Sequence, residues 1–132
     1  MIVDTSALLA VAFAEPDAPR YAAAIVDASP RPRMSAGNLL EAVIVVESRG
    51  DAIAAGRLDA FIRESALEIL PFTAAHVAHA RRAWRDFGKG RHPAQLNFGD
   101  CIAYATAKEA DAPLLFKGSI FAHTDIAPAL KD

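Results

Sequence analysis

"MIVDTSALLAVAF", Met1 to Phe13, decides the fold. A short apolar run, Met1 to Val3, meets an acid, and the chain then stays apolar through Phe13 behind Asp4 or Thr5, either of which can cap a helix. A strand that feeds a helix directly is the opening unit of an α/β fold. The same alternation recurs downstream. "LEILPF" predicts a strand closed by Pro71, "APLLF" predicts another, Arg33 and Met34 predict a weaker one after the proline loop "SPRPR", and a last short strand is expected near Asp125 and Ile126.

Between these runs the spacing predicts helices. One covers Tyr21 to Ala28, and a second, "AGNLLEAVIVVES", is capped by Ser35. A third follows in "DAIAAGRLDAFIRES", a fourth runs from a Thr73 cap to Gly88, and a fifth is capped by Asn97 ahead of "GDCIAYATAKEAD". Leu39, Leu40, Val43, Ile44, Val45 and Val46 cover nearly every face of the second, which predicts burial all round. Val77, Ala80, Trp84 and Phe87 form a helical stripe expected in the core. Short, uniformly apolar strands alternating with helices predict a mainly parallel sheet covered on both faces, with right-handed crossovers. Ligands of such sheets sit beyond the carboxyl ends of the strands, where Asp4 and the Gly118–Ser119 turn both fall.

Bulk properties narrow the function. With 132 residues, 53% of them hydrophobic, the chain is expected to fold as a single domain over 1–132. A net charge of −2 provides no global basic field, so any polyanion would be held by a local patch. The lone Cys101 excludes an internal disulfide and a thiolate metal site. "ALLAVAFAEP" imitates a signal peptide, but no basic segment precedes it, and Asp4 stands where one is required. No apolar run approaches the roughly 18 residues of a membrane span, so a soluble, cytoplasmic protein without a membrane partner is expected.

The acids carry the chemistry. Asp4 has an ordinary explanation as a helix cap, and Asp100, three residues after Asn97, has one as the return arm of a capping box. Glu41 lies on an apolar segment, and a buried carboxylate needs a partner, either an arginine such as Arg33 or Arg49 or something else. If Asp4, Glu41 and Asp100 converge, like charges about 4 Å apart repel by roughly 4 kcal/mol each at an effective dielectric near 20. A bound cation makes such a cluster reasonable at neutral pH. Oxygen-only ligands favour Mg2+ or Mn2+, and the chemistry they support is phosphodiester hydrolysis, with the metal activating water and shielding developing charge.

"MIVDTSALLA", "NLLEAVIVVESR", "FGKGRHPAQLNFGDCIAYATAK" and "PLLFKGSIFAHTDI" together resemble the PIN-domain ribonuclease toxins of the VapC type, along essentially the whole chain. The resemblance implies a three-layer α/β/α PIN-like domain with a short, mainly parallel central sheet. It implies a metal-dependent endoribonuclease toxin, dimeric and neutralised by a small cognate antitoxin of the VapB kind. The family's metal-binding acids fall on Asp4, Glu41 and Asp100. The hydroxyls that follow the first acid fall on Thr5 and Ser6, which could orient a water; for Thr5, capping remains an equal reading.

One position departs from the family. Its further acid or Asn, often an acidic pair, falls where this chain has Ser119 and Ile120. Ser119 offers a neutral hydroxyl to hold a water, and Asp125 in "HTD" either faces the site or serves a surface turn. Lys89, Arg91 and His92, in a glycine-rich loop, are candidates for RNA phosphate contacts or are simply solvated. His76, His79 and His123 lack ligand-like spacing. Two rival readings remain: a PIN-domain protein with weakened or lost catalysis that acts by binding antitoxin or RNA, and a phosphatase of the haloacid dehalogenase class. The second conflicts with Ser6, which stands where a paired DxD needs its second Asp.

Overall fold

A computed structural model describes residues 1–131. Four short parallel strands, β1 (Ile2–Val3), β2 (Arg33–Ser35), β3 (Glu68–Leu70) and β4 (Leu114–Leu115), pair in the order β3-β2-β1-β4. The register sets Ile2 against Leu114 and Arg33, and Val3 against Leu115. Six helices surround them: α1 (Thr5–Ala12), α2 (Ala18–Val26), α3 (Ala36–Ser48), α4 (Ala52–Glu64), α5 (Ala74–Phe87) and α6 (Phe98–Ala110).

Successive strand residues point to opposite faces, and the short strands use both. Val3 and Leu115 join Leu8, Ile25, Met34, Val46 and Leu58 in one core. Ile2 and Leu114 join Ala83, Leu96, Tyr104 and Phe121 in the other. The sheet is therefore the middle of three layers, as the sequence predicted. The chain builds outward from β1 to β3 and then returns to place β4 on the free side of β1, so the strand order reverses between β1 and β4. At that switch, the Asp4 amide donates to the Leu115 carbonyl at 2.9 Å. Position 4 is thereby fixed where such sheets place their ligands.

Several expectations change. The strand foreseen at Asp125 and Ile126 is absent; a 3-10 turn covers Ile120–His123, and the pairing falls later, as an isolated parallel bridge between Leu114 and Pro128. Helix α2 starts earlier than predicted, at Ala18, because Pro19 fits a first turn, where its missing N–H has no helical partner to lose. Helix α3 is not buried all round: Leu40 and Ile44, one turn apart, are 59% and 53% exposed. The α5 stripe is only half core: Ala80 and Phe87 pack against the second core, whereas Val77 and Trp84 are exposed, and the buried residues of that helix are His76 and Ala83. Both helices carry more apolar surface than one sheet face covers. His76 caps its own helix through Thr73, and His79 pairs with Glu109.

Asp125 serves the fold rather than the strand ends. Its carboxylate accepts from the Tyr104 hydroxyl at 2.7 Å and pairs with Lys108 at 3.0 Å, pinning the C-terminal segment onto α6. Burial pushes this carboxyl up, but the two hydrogen bonds and the Lys108 charge outweigh it and hold it below the usual range. Tyr104→Phe keeps the ring in place and removes one donor. It is expected to lower stability by about 1–2 kcal/mol in urea unfolding near pH 7, and an unchanged midpoint would show that the segment is held by its apolar contacts alone.

Candidate functional site

Asp4 caps α1 with its backbone extended, and only 4% of its surface is exposed. Oδ2 accepts from the Ser6 amide at 3.0 Å and from the Ser6 hydroxyl at 2.5 Å. The Ser6 oxygen in turn accepts from the Lys117 amide at 2.9 Å, which ties the acid at the end of β1 to the turn after β4. The two readings of Asp4 as cap and as ligand are therefore compatible: Oδ2 does the capping, and among the described residues Oδ1 takes no hydrogen bond. Asp4, not Thr5, is the cap.

Thr5 opens α1 with its hydroxyl 2.6 Å from Glu41 Oε1 and 3.0 Å from the Asn38 carbonyl. A hydroxyl has one proton, and the shorter bond to a charged acceptor is the stronger claim on it. Glu41 makes no pairing with Arg33 or Arg49. The Arg49 guanidinium instead lies over the Phe13 ring, 4.1 Å from its centre. Glu41 lies against the first turn of α6, where a Cβ added to Gly99 would meet Oε2 at 2.1 Å. Only glycine allows the carboxylate this approach, so Gly99 is a spacing requirement of the site.

Asp100 opens α6. Its Oδ2 accepts from the Asn97 amide at 2.9 Å, and Asn97 Oδ1 accepts from the Asp100 amide at 2.9 Å, the reciprocal capping box expected from the spacing. The acids lie close enough to act on one another electrically. Burial pushes Asp4 up to about 6; the Ser6 hydrogen bonds oppose this, and the charges of Asp100 and Glu41 add to it. Asp100 is raised as well, chiefly by burial, with the Asn97 bond opposing and the Glu41 charge adding.

Among the described residues no three His, Cys, Asp or Glu side chains stand in a ready-made ligand cage. Glu41 is turned to Thr5, and Asp100 is turned to Asn97. The donor chemistry nevertheless fits a hard divalent ion. All three groups offer oxygen, and an ion between them would offset both the burial of Asp4 and the repulsion that raises it.

The remaining predicted residues are scattered. Ser119 is exposed beside Gly118, whose φ of +100° makes the turn, and lines a cavity of about 770 Å³ with Tyr21, Phe116 and Pro128. Ile120 is exposed and apolar, and with Ser119 beside it this turn brings no carboxylate. Lys117 clamps the corner between α1 and α2 by pairing with Glu15 and, at 2.9 Å, with Asp17. His92 is built into its loop, with Nδ1 accepting from the Ala94 amide at 3.0 Å and its ring edge-on to Phe87. Lys89 and Arg91 are exposed. Sequence reasoning missed Asn38, Gly99 and Lys117. For Asn38 a signal existed: it precedes Glu41 by three residues and shares its helix face.

The PIN domain family matches residues 1–127. Ribonuclease VapC28 of Mycobacterium tuberculosis is 46% identical over 131 residues, covering 98% of each chain. Ribonuclease VapC of Mycolicibacterium smegmatis is 43% identical over 127 residues, covering 96% of this chain and 98% of the relative. Among solved structures, M. tuberculosis VapC20, described as a Sarcin-Ricin loop cleaving toxin, superposes with a TM-score of 0.75 at 17% identity, covering 96% of this chain and 95% of that one. A toxin-antitoxin complex from Klebsiella pneumoniae gives 0.68 at 15% identity, covering 94% and 92%. At these identities the two structures attest the fold.

The raised Asp4 fixes the sign of a pH effect. Between the ordinary carboxyl value of 3.8 and about 6 the folded chain binds more protons than the unfolded one, so stability falls as pH rises through that window. The full loss attributable to Asp4 is on the order of 3 kcal/mol. Urea unfolding of the metal-free protein at pH 4.5, 5.5 and 7 is expected to show a smaller decline in Asp4→Asn than in wild type. Equal declines would mean that Asp4 is not the group responsible.

Proposed function

The chain belongs to the PIN domain family, and on that premise we propose that Asp4, Glu41 and Asp100 together form the catalytic site of an endoribonuclease, the toxin of a toxin–antitoxin pair. The observation that carries this reading is geometric: Glu41 is bonded to Thr5, the neighbour of the buried Asp4, and lies against Gly99, the neighbour of Asp100. They would hold one Mg2+ or Mn2+, which when bound supplies a Lewis acid for phosphodiester hydrolysis. The rest of the work falls to the chain. Ser6 fixes Asp4 through Oδ2, Thr5 fixes Glu41 through Oε1, and Asn97 fixes Asp100 through Oδ2, so each acid keeps one oxygen without a hydrogen bond among the described residues. Lys89 and Arg91 extend toward the phosphates of the RNA strand as cationic contacts, whereas the folded-in His92 does not.

A second reading rests on the turn after β4. Ser119 and Ile120 bring no carboxylate there, which lowers the charge available to the ion and favours weak catalysis. The partners follow from surface chemistry and kinship. A cognate antitoxin would lie against α1 and α4, where Ile53 is exposed and Phe13 and Phe61 are partly buried. The exposed Leu40 and Ile44 of α3, with Trp84 and Phe98, would be covered by a second copy of the chain. No described helix is long and apolar enough to cross a membrane, and a cytoplasmic location is proposed.

Mn2+ titration by calorimetry, run beside cleavage of single-stranded RNA, tests the site. Asp4→Asn and Asp100→Asn are each expected to weaken Mn2+ binding at least tenfold and to abolish cleavage, while Ile120→Asp is expected to raise cleavage above wild type. Equal Mn2+ binding by wild type and Asp4→Asn would sink the site. Separately, Phe98→Asp is expected to shift the chain from dimer to monomer in light scattering, and a wild-type monomer would remove the interface.

A further inference from the structure

Asn38 is the residue the fold does not explain. It is wholly buried, one turn before Glu41 on α3. Its Nδ2 donates to the Gly99 carbonyl at 3.0 Å and approaches Glu41 Oε1 at 3.4 Å. Both neighbours are acceptors only, so the amide orientation is forced, because turning it over would set oxygen against a carbonyl and a carboxylate. Oδ1 is then left on the other side, buried and without a hydrogen-bond partner. A leucine would fill similar space with nothing unpaired. A core position that leaves a polar atom unpaired is the kind of local conflict expected where a site, rather than the fold, dictates the residue.

The residue also sits where three elements meet. The Thr5 hydroxyl lies 3.0 Å from the Asn38 carbonyl and 2.6 Å from Glu41, and Gly99 immediately precedes Asp100. We propose that Asn38 is the positioning residue of the acid cluster: its amide NH2 braces α3 against the first turn of α6 and aims the Glu41 carboxylate. Glu41 and Asp100, carried on different helices, thereby keep a fixed separation. Asn38 itself touches neither the ion nor the RNA. This inference rests on the metal-site reading above.

The test separates fold from site. Asn38→Leu removes the unpaired oxygen together with the donors, so the metal-free variant is expected to unfold at the wild-type temperature or above it. Its Mn2+ Kd is expected to weaken about tenfold, the scale at which partners of metal-binding side chains act, and kcat for RNA cleavage to fall while KM stays within about twofold. In a Glu41→Gln background the same substitution is expected to change Mn2+ Kd by less than about twofold, because the group it aims is already altered. If Asn38→Leu does not fold, Asn38→Ser carries the same readouts. A variant that binds Mn2+ as wild type does, or effects that multiply across the two positions, overturns the positioning role. A wild type that binds no Mn2+ overturns the metal site and this role with it.

Discussion

Like charge held at the end of a buried strand is the constraint around which the rest is arranged. Asp4 follows directly on β1, with Glu41 and Asp100 close enough to raise it. Each acid needs fixed donors to stay where it is, and they come from different parts of the chain: Ser6, itself held by the Lys117 amide, for Asp4, Thr5 for Glu41, Asn97 for Asp100. Preformed dipoles of this sort hold charge without reorganising when a substrate arrives. They also explain why the strands can be so short: β1 and β4 have only to bring residues 4 and 117 together.

The same economy leaves apolar surface outside the two cores. Side chains that a larger sheet would cover, Leu40, Ile44, Trp84 and the 82% exposed Phe98, remain on α3, α5 and the start of α6. Exposed aromatic and branched groups in this number are uncommon on a chain that works alone. Phe98 and Asp100 share the first turn of α6, so an exposed apolar side chain stands two residues from one of the acids.

Much of the fold was legible because its signals are local. A three-residue apolar run stopped by Asp4, the Ser35 and Asn97 caps, and Thr73 before an amphipathic run each specify an element from neighbouring residues. What failed was inference about burial. The apolar run of α3 and the stripe of α5 predicted core, yet periodicity reports only that a face is apolar and not which surface meets it. The late strand was misplaced because "HTDI" reads as extended chain, while the pairing edge of β4 is met by Ala127 to Ala129.

The acids were readable as individual residues: Asp4 and Asp100 each had an ordinary capping role, which both fulfil, and Glu41 had one as an arginine's partner, which it does not. Their types, the strand-end place of Asp4 and the lack of an acid at Ser119 and Ile120 were settled by the sequence. Their proximity was not, because residues 4, 41 and 100 belong to the start of α1, to α3 and to α6, which only tertiary packing brings together. Nor could the sequence assign Asp125 to Tyr104 and Lys108, or show that Gly99 makes room for Glu41 and that Asn38 is buried with an unpaired oxygen. Those are facts about which atoms face one another across elements. Sequence spacing fixes direction within an element, and only packing fixes distance between them.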